Sequence, residues 1–255
     1  MMLAPILAAA DARAVQANDH MDQLVHDAAR QGKARGFKDA LKAPGLSVIA
    51  EIKRRSPSAG EIDAALDPVS QARAYESGGA DAISVLTEPD FFGGSLDDLV
   101  AVREAVTLPV LRKDFTRNAA QLVEARASGA DAALLIVATL SQPILERLVT
   151  TSIDVGIDVI VEVHTADEVD RAVAAGASII GVNNRDLMTF RTDLSVAESL
   201  AGRIPEGLVS IAESGVSSVV GARRMRVARY DAILVGEAVV RAADPAALVA
   251  ALKEE

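Results

Sequence analysis

The sequence predicts an α/β fold, a single (β/α)8 TIM barrel spanning residues 1–255, with residues 1–47 as an N-terminal helical extension of about 45 residues. Three observations lead to it. First, apolar runs rich in β-branched residues recur at Val48–Ile52, Ala82–Leu86, Pro109–Leu111, Ala132–Val137, Val159–Val163, Ile179–Val182, Leu208–Ile211 and Ala232–Val235. Second, stretches of helical period lie between them, among them Pro68–Ser77, Ala119–Ser128, Ala166–Ala175 and Ser218–Val227. Third, several of these close on Gly-Ala just before the next strand, at Gly79-Ala80, Gly129-Ala130 and Gly176-Ala177, the pattern of a left-handed helix stop and a short turn. Strand–helix alternation without an antiparallel hairpin signal implies a parallel sheet, and eight units are enough to close it. A doubly wound open sheet is the alternative. It needs a Gly-rich dinucleotide turn after the first strand, and Ser56-Pro57-Ser58 is not one.

The N-terminal residues come first in the chain. Leu3 to Ala10 is apolar, but no Lys or Arg precedes it, and Asp11 and Arg13 follow at once. A secretory signal has the opposite charge order, so the stretch reads as an amphipathic helix of a cytoplasmic chain. No apolar segment is long enough to span a bilayer. Ala8 to Arg35 is polar and helix-friendly, with little to build a core. Gly36 to Leu41 reads as a short helix or turn, ended by Lys42-Ala43-Pro44-Gly45.

Composition narrows the function. Half of the residues are hydrophobic, so a sizeable core is available, while aromatics make up only 3%. Cysteine is absent, which removes disulfides and thiol catalysis. Three scattered histidines without cysteine do not make a structural zinc site. A net charge of −10 argues against general nucleic-acid binding, yet allows one small anionic ligand in a locally positive pocket.

In a barrel the C-terminal ends of the strands form the active-site face, so the residues that end each strand carry the chemistry. The first strand ends in Glu51 and Lys53, at i and i+2 and therefore on one face. A carboxylate and an ammonium on one face of a core strand are unfavourable unless paired or used. Ser56-Pro57-Ser58 follows as a loop of little bulk. The second strand leads to Thr87-Glu88 and Phe91-Phe92, the third to Arg112-Lys113-Asp114-Phe115, and the fourth ends apolar from Leu134. The fifth gives Glu162 and His164, the sixth Asn183-Asn184-Arg185-Asp186, the seventh Glu213-Ser214-Gly215 and the eighth Gly236-Glu237. Strand starts carry no comparable set.

The residue types suggest roles. Ser214-Gly215 and Gly236-Glu237 follow the last two strands, where barrels cradle phosphate with backbone amides. Glu237 is expected to contribute its amide and turn its carboxylate away. Lys53 and Lys113 are placed to supply positive charge or a proton. Glu51, Glu162 and Glu213 are placed to accept protons or hold the lysines, whose proton affinity moves either way with burial and pairing. Pro57, Phe92, Phe115, Leu134 and Leu187 can wall an apolar slot for a flat ring.

Read together, these motifs resemble indole-3-glycerol phosphate synthases. The matching stretches are Ala50-Glu-Ile-Lys-Arg-Arg-Ser-Pro-Ser58, Leu86-Thr-Glu88, Gly94-Ser-Leu96, Lys113-Asp-Phe115, Glu124-Ala-Arg126 and Gly129-Ala-Asp131. Further on come Val161-Glu-Val-His164, Gly181-Val-Asn-Asn-Arg-Asp-Leu187, Thr189-Phe190, Asp193-Leu194, Glu213-Ser-Gly215 and Val235-Gly-Glu237. The resemblance implies ring closure of 1-(2-carboxyphenylamino)-1-deoxyribulose 5-phosphate with loss of carbon dioxide and water, in the tryptophan pathway, with no cofactor and no metal. It implies Lys113 as general acid at the ribulose carbonyl and Glu162 and Glu51 as base and electrostatic partners. Lys53 serves the substrate and the dehydration, and Asn183 positions, with Ser56, Arg185, Glu213 and Ser214 around it. The phosphate lies on Ser214-Gly215 and Gly236-Glu237, the apolar slot takes the anthranilate ring, and the N-terminal helix caps the barrel mouth.

Two departures stand out. Thr116-Arg-Asn-Ala-Ala120 replaces the two aliphatics and Asp-Pro-Tyr usual after Lys113-Asp-Phe115, which bears on the order of the third loop. Met188 stands where Lys is common, a surface matter. Two other functions compete. A phosphoribosylanthranilate isomerase-like enzyme needs a Cys and Asp pair in place of Glu51 and Lys113, and the chain has no cysteine. A non-catalytic barrel that binds phosphorylated metabolites has no need of intact Glu51, Lys53, Lys113 and Glu162. The expected partner is a small anionic phosphorylated substrate, with no nucleic acid and no membrane; no protein partner is indicated.

Overall fold

The computed structural model describes residues 3–187 and 189–254, so Met188 lies outside the described residues. Eight parallel strands close into a barrel: β1 (Ser47–Ile52), β4 (Ala82–Leu86), β5 (Val110–Lys113), β6 (Ala132–Ile136), β7 (Asp158–Val163), β8 (Ile179–Asn183), β9 (Val209–Glu213) and β10 (Ala232–Val235). Each pairs with the next in sequence, and β10 returns to β1 through Ser47 opposite Ala232. Between them, β2 (Arg55–Ser56) and β3 (Gly60–Glu61) form a small antiparallel hairpin in the loop after β1, where no hairpin was expected. Its polar, two-residue arms carry no alternating apolar pattern to announce it.

The helices fall where the periodicity puts them. Those of the barrel wall include α4 (Pro68–Ser77), α6 (Leu96–Ala105), α7 (Ala119–Ala127), α8 (Gln142–Val155), α9 (Ala166–Ala174) and α11 (Val219–Val227). Asp67, Ser95, Asn118, Thr165 and Ser218 each accept a hydrogen bond from the first turn that follows, so these five βα loops end on a side-chain cap. The expected stops at Gly79 and Gly129 have φ of 83° and 85°.

The aspartates after these turns do more than the turn pattern suggested. At the start of β4, Asp81 Oδ2 accepts from the Val48 amide at 2.8 Å while its own amide donates to Val48 O at 2.9 Å. Asp131 does the same to Val110, and Asp231 to Ser210. Each clips the start of one strand to the start of its predecessor, satisfying backbone groups at the barrel's lower rim.

Strand β5 runs two residues beyond the expected Leu111 and includes Arg112 and Lys113. Charge hid this extension. Arg112 turns outward and is buried against α7, donating to Gln121 O at 3.0 Å and paired with Glu124 at 2.8 Å. Lys113 alternates to the inside, as strand geometry requires.

The N-terminal extension forms α1 (Leu3–Asp19), α2 (Met21–Arg30) and α3 (Phe37–Ala40). It divides between the two ends of the barrel. α1 buries Ile6, Ala10, Ala14 and Ala17 along one stripe, and α2 buries none of its side chains. Phe37 and Leu41 are fully buried and join Ile49, Leu111 and Ile160 inside the barrel. The amide of Lys38 donates to Asp158 at the start of β7, fixing this plug at the lower end.

Candidate active site

A cavity of about 440 Å³ opens at the C-terminal ends of the strands. Every residue singled out from the sequence for catalysis or substrate binding lines it: Glu51, Lys53, Ser56, Pro57, Phe92, Lys113, Phe115, Leu134, Glu162, Asn183, Arg185, Leu187, Glu213, Ser214, Gly215, Gly236 and Glu237.

At its floor, Lys113 Nζ donates to Glu162 Oε2 at 3.0 Å and to Glu213 Oε2 at 2.8 Å. The three groups come from β5, β7 and β9, which are not adjacent, so the ammonium bridges across the barrel. Asn183 donates to Glu162 Oε1 at 3.1 Å, and its own Oδ1 accepts from the Arg185 amide, which fixes the orientation of the amide. On β1, Lys53 Nζ donates to Glu51 Oε1 at 2.5 Å. The pairing expected from their i, i+2 spacing is present.

Burial and charge act in opposite directions on these groups. Burial by itself lowers the proton affinity of Lys113, but Glu162, Glu213 and Glu51 outweigh it and hold its pKa above the ordinary lysine range. Burial raises Glu162, yet Lys113, His164 and the Asn183 bond bring its pKa below the ordinary value. For Glu213 burial prevails over Lys113, with repulsion from Glu162 and Glu51 added, and its pKa is pushed up to about 7. The two carboxylates that bracket this lysine thus differ in proton affinity, a pattern found at sites of acid–base work.

Two glycines make room for this set. A Cβ on Gly181 would stand 2.1 Å from Glu213 Oε1, and one on Gly236 would stand 2.4 Å from Glu51 Oε1 and 3.1 Å from Lys53 Nζ. Gly236 therefore accommodates the Glu51–Lys53 pair, in addition to any part it has in anion binding.

One wall is apolar. The Phe92 and Phe115 rings lie 6.2 Å apart, tilted by 43°, near Leu134 and Leu187 in the same cavity. Phe92 ends α5 (Pro89–Phe92), whose amides at Asp90, Phe91 and Phe92 are all capped by the fully buried Glu88. Opposite, Ser214 and Gly215 both adopt left-handed backbone, with φ of 62° and 85°. Such conformation is unfavourable for a serine, and Asn184 maintains it by donating to Glu213 O and Ser214 O. Glu237 pairs its carboxylate with Arg241 at 3.1 Å.

Sequence reasoning missed part of the lining. Leu3 and Ile6 reach the cavity from α1, and Arg241 reaches it from α12 (Glu237–Arg241). No motif marks them, because each sits outside the strand ends. Arg13 of α1 is a further omission: it donates to Glu88 at 3.1 Å and to Asp114 at 3.2 Å. The departure at Thr116–Ala120 supports the same contact. Arg117 binds Asp11 at 2.7 Å, and Asn118 donates to Ala14 O at 2.7 Å while capping α7. The third loop is thus tied to α1.

A sequence profile of indole-3-glycerol phosphate synthase matches residues 4–252. The chain belongs to the indole-3-glycerol phosphate synthase family. The indole-3-glycerol phosphate synthase of Mycolicibacterium vanbaalenii is 49% identical over 243 residues, 95% of this chain and 89% of that one. That of Streptomyces griseus is 48% identical over 243 residues, 95% of this chain and 90% of that one. Among solved structures, a thiamine phosphate pyrophosphorylase from Pyrococcus furiosus superposes with a TM-score of 0.62 at 18% identity, covering 82% of this chain and 94% of that one. KGPDC from Streptococcus mutans gives 0.63 at 15%, covering 82% and 96%. These two share the fold alone. As a member of the family the chain is a decarboxylating lyase of tryptophan biosynthesis. Among the described residues no helix is long and apolar enough to cross a membrane.

Proposed function

We propose that the cavity closes the indole ring of 1-(2-carboxyphenylamino)-1-deoxyribulose 5-phosphate through the lysine–carboxylate cluster on β5, β7 and β9. The observation that carries the assignment is the Lys113 ammonium bracketed by Glu162 and Glu213 beside the Phe92–Phe115 wall. The anthranilate ring lies in the apolar slot and the phosphate at Ser214-Gly215 and Gly236. Lys113 protonates the ribulose carbonyl oxygen as the ring carbon bearing the carboxylate attacks the carbonyl carbon. One C–C bond forms and the former carbonyl becomes a hydroxyl. Loss of carbon dioxide returns the electron pair to the ring. Departure of the hydroxyl as water, with Lys53 as proton donor and a carboxylate as base, completes the indole.

Several features support these roles. A proton donor at a developing alkoxide accelerates such a step by about 10²–10⁴-fold. Glu162, held ionised, balances the ammonium and accepts a proton, with Glu51 paired to Lys53 as the second carboxylate. Asn183 keeps Glu162 oriented, and Ser56 and Arg185 lie at the edge of the slot where the anthranilate carboxylate enters. The absence of cysteine disfavours an isomerase of the phosphoribosylanthranilate type, and the complete charged set disfavours a barrel that only binds metabolites. The cytoplasm is the compartment we assign. Turnover of the substrate, followed by the appearance of indole fluorescence, tests the function directly. Binding without turnover would leave the metabolite-binding barrel.

A further inference from the structure

The cluster has a side chain that ring closure does not use. His164 follows the end of β7, two residues after Glu162, and lies behind that carboxylate rather than in the cavity lining. Its Nδ1 is 3.2 Å from Glu168 Oε2, and its backbone amide donates to the same oxygen at 2.6 Å. Glu168 stands in the first turn of α9, with its own amide on the Thr165 cap at 3.3 Å. Backbone and ring of His164 thus both bond one carboxylate, and Nδ1 carries the proton because a carboxylate only accepts.

The other ring nitrogen is the informative one. His164 Nε2 is buried, faces Glu162 Oε1 at 3.5 Å, and has no hydrogen-bond partner in the protein. In the neutral ring Nε2 is a lone pair opposed to a carboxylate oxygen, an arrangement that is repulsive and dry. In the imidazolium it is an N–H pointed at an anion. Glu162 Oε1 already takes Asn183, and Oε2 takes Lys113. The charged groups facing the ring are Glu162 on its own strand, Glu168 on α9 and Glu213 on β9. Arg171, the cation of α9 closest in sequence, is turned to the Val137 and Leu140 carbonyls instead.

We propose that His164 is a positioning residue for the ring closure: clamped by Glu168, its imidazolium presents Nε2–H to Glu162 and keeps that carboxylate ionised and aimed across the barrel mouth. The inference rests on the catalytic role given to Glu162 above. Glu162 then works between two cations, Lys113 in front and His164 behind. Burial opposes the charged ring, but the three carboxylates outweigh it and raise the pKa of His164 above the ordinary histidine value. The sign follows from this. The imidazolium's contribution is present below the ordinary histidine pKa and is lost as pH rises through the raised one.

The test uses the full chain with His164→Asn, Glu168→Gln and Glu162→Gln variants. The chain has three histidines, and His20 and His26 are exposed, so the imidazole NMR signals separate. His164 is expected to titrate above the ordinary histidine value of 6.5, and to move down toward it in Glu168→Gln and in Glu162→Gln. His164→Asn keeps a donor without the charge. It is expected to lower kcat about tenfold, a fraction of what a positioned proton-transfer group supplies, with KM within about threefold and the basic limb of the kcat profile lost. Glu168→Gln is expected to move that limb to lower pH. If His164→Asn does not fold, Glu168→Gln decides, since it leaves the ring in place. A His164 that titrates at or below 6.5, or a His164→Asn enzyme with native kcat and pH profile, overturns the inference. Glu162→Gln separates the two levels. Native turnover there removes the role given to Glu162. An inactive Glu162→Gln with an unmoved His164 titration removes only the role of the histidine.

Discussion

Replacing Lys113 is the most direct perturbation of this site, and its consequences can be worked from the contacts. Lys113→Met leaves Glu162 and Glu213, each with a side chain 2% exposed, facing a methyl group where an ammonium stood. Removing one partner of a buried ion pair destabilises by about 3–5 kcal/mol, because the remaining charge stays desolvated. Here the effect falls at the lower end of that range. Glu213 is already pushed up to about 7, so it takes up a proton readily when the lysine is gone. At about 3 kcal/mol, a chain of this size loses roughly 6–12 °C of Tm. With Lys113 as the proposed proton donor, turnover is expected to fall by about 10²–10⁴-fold. Lys113→Arg separates the two effects. Its charge can still lie between the two carboxylates, so most of the stability returns, but a guanidinium hardly gives up a proton. Both variants therefore lose most of kcat, whereas only Lys113→Met loses much stability. Substrate affinity, which on the proposed reading rests on phosphate and ring contacts, is expected to change less. Thermal unfolding, steady-state kinetics and a separate binding titration measure the three quantities. A Lys113→Arg enzyme with near-native kcat and raised KM refutes the proton-donor role and makes Lys113 an anchor for the substrate.

Other expectations follow from individual contacts. Gly181→Ala puts a carbon 2.1 Å from Glu213 Oε1 and Gly236→Ala puts one 2.4 Å from Glu51 Oε1, so each is expected to lower kcat by about tenfold or more through a displaced carboxylate. An effect of Gly236→Ala on KM alone, measured with inorganic phosphate as competitor, would place the role of this glycine in anion binding only. Glu213 ionises at about 7 in the folded chain against 4.5 ordinarily, so the folded state holds the extra proton between those values, and this group's contribution to stability falls as pH rises through that window. Denaturant titrations at pH 5 and pH 8 are expected to show a smaller loss in Glu213→Gln than in the wild type; a larger loss counts against the assignment. Removing residues 1–20 takes away α1 with Leu3, Ile6 and Arg13, and is expected to leave a folded barrel with raised KM. Removing residues 1–41 also takes the fully buried Phe37 and Leu41, with a penalty of about 3–5 kcal/mol for a Phe-sized loss alone, and is expected to give a molten or aggregated product by circular dichroism and gel filtration.

What the sequence made legible, and what it did not, divides along the reach of each interaction. Strand alternation is local, so Glu51 and Lys53 could be placed on one face, and barrel geometry then brings every strand end to one mouth. That is why every residue assigned to catalysis or substrate binding at these strand ends and their loops lines the cavity. Partnership is not local. Lys113 meets Glu162 and Glu213 at sequence separations of 49 and 100, and nothing in the pattern distinguishes that choice from a pairing with Glu51. The unequal proton affinities of Glu162 and Glu213 depend on burial, which only the closed barrel sets. The third loop shows how a departure can mislead. Thr116–Ala120 lacks the residues usual in the family, yet Arg117 and Asn118 hold it to α1, by contacts that no local pattern encodes.

The N-terminal extension extends this reasoning from contacts to design. Its low hydrophobicity suggested a segment packed on a finished barrel, and for α2 that holds, since none of its side chains is buried. The other two helices occupy opposite ends. Phe37 and Leu41 fill the interior under Ile49 and Leu111, so the last part of the extension belongs to the core. Leu3 and Ile6 cover the mouth, and Arg13 secures them through Glu88, the residue that also caps the turn carrying Phe92. A single guanidinium, with its partners Glu88 and Asp114 buried, thus connects the covering helix to the apolar wall and to the residue beside Lys113. Because these bonds have one partner on the extension and the other in the barrel loops, displacing α1 must expose Glu88 and Asp114 together. The cover and the two loops it holds are therefore expected to open as a unit.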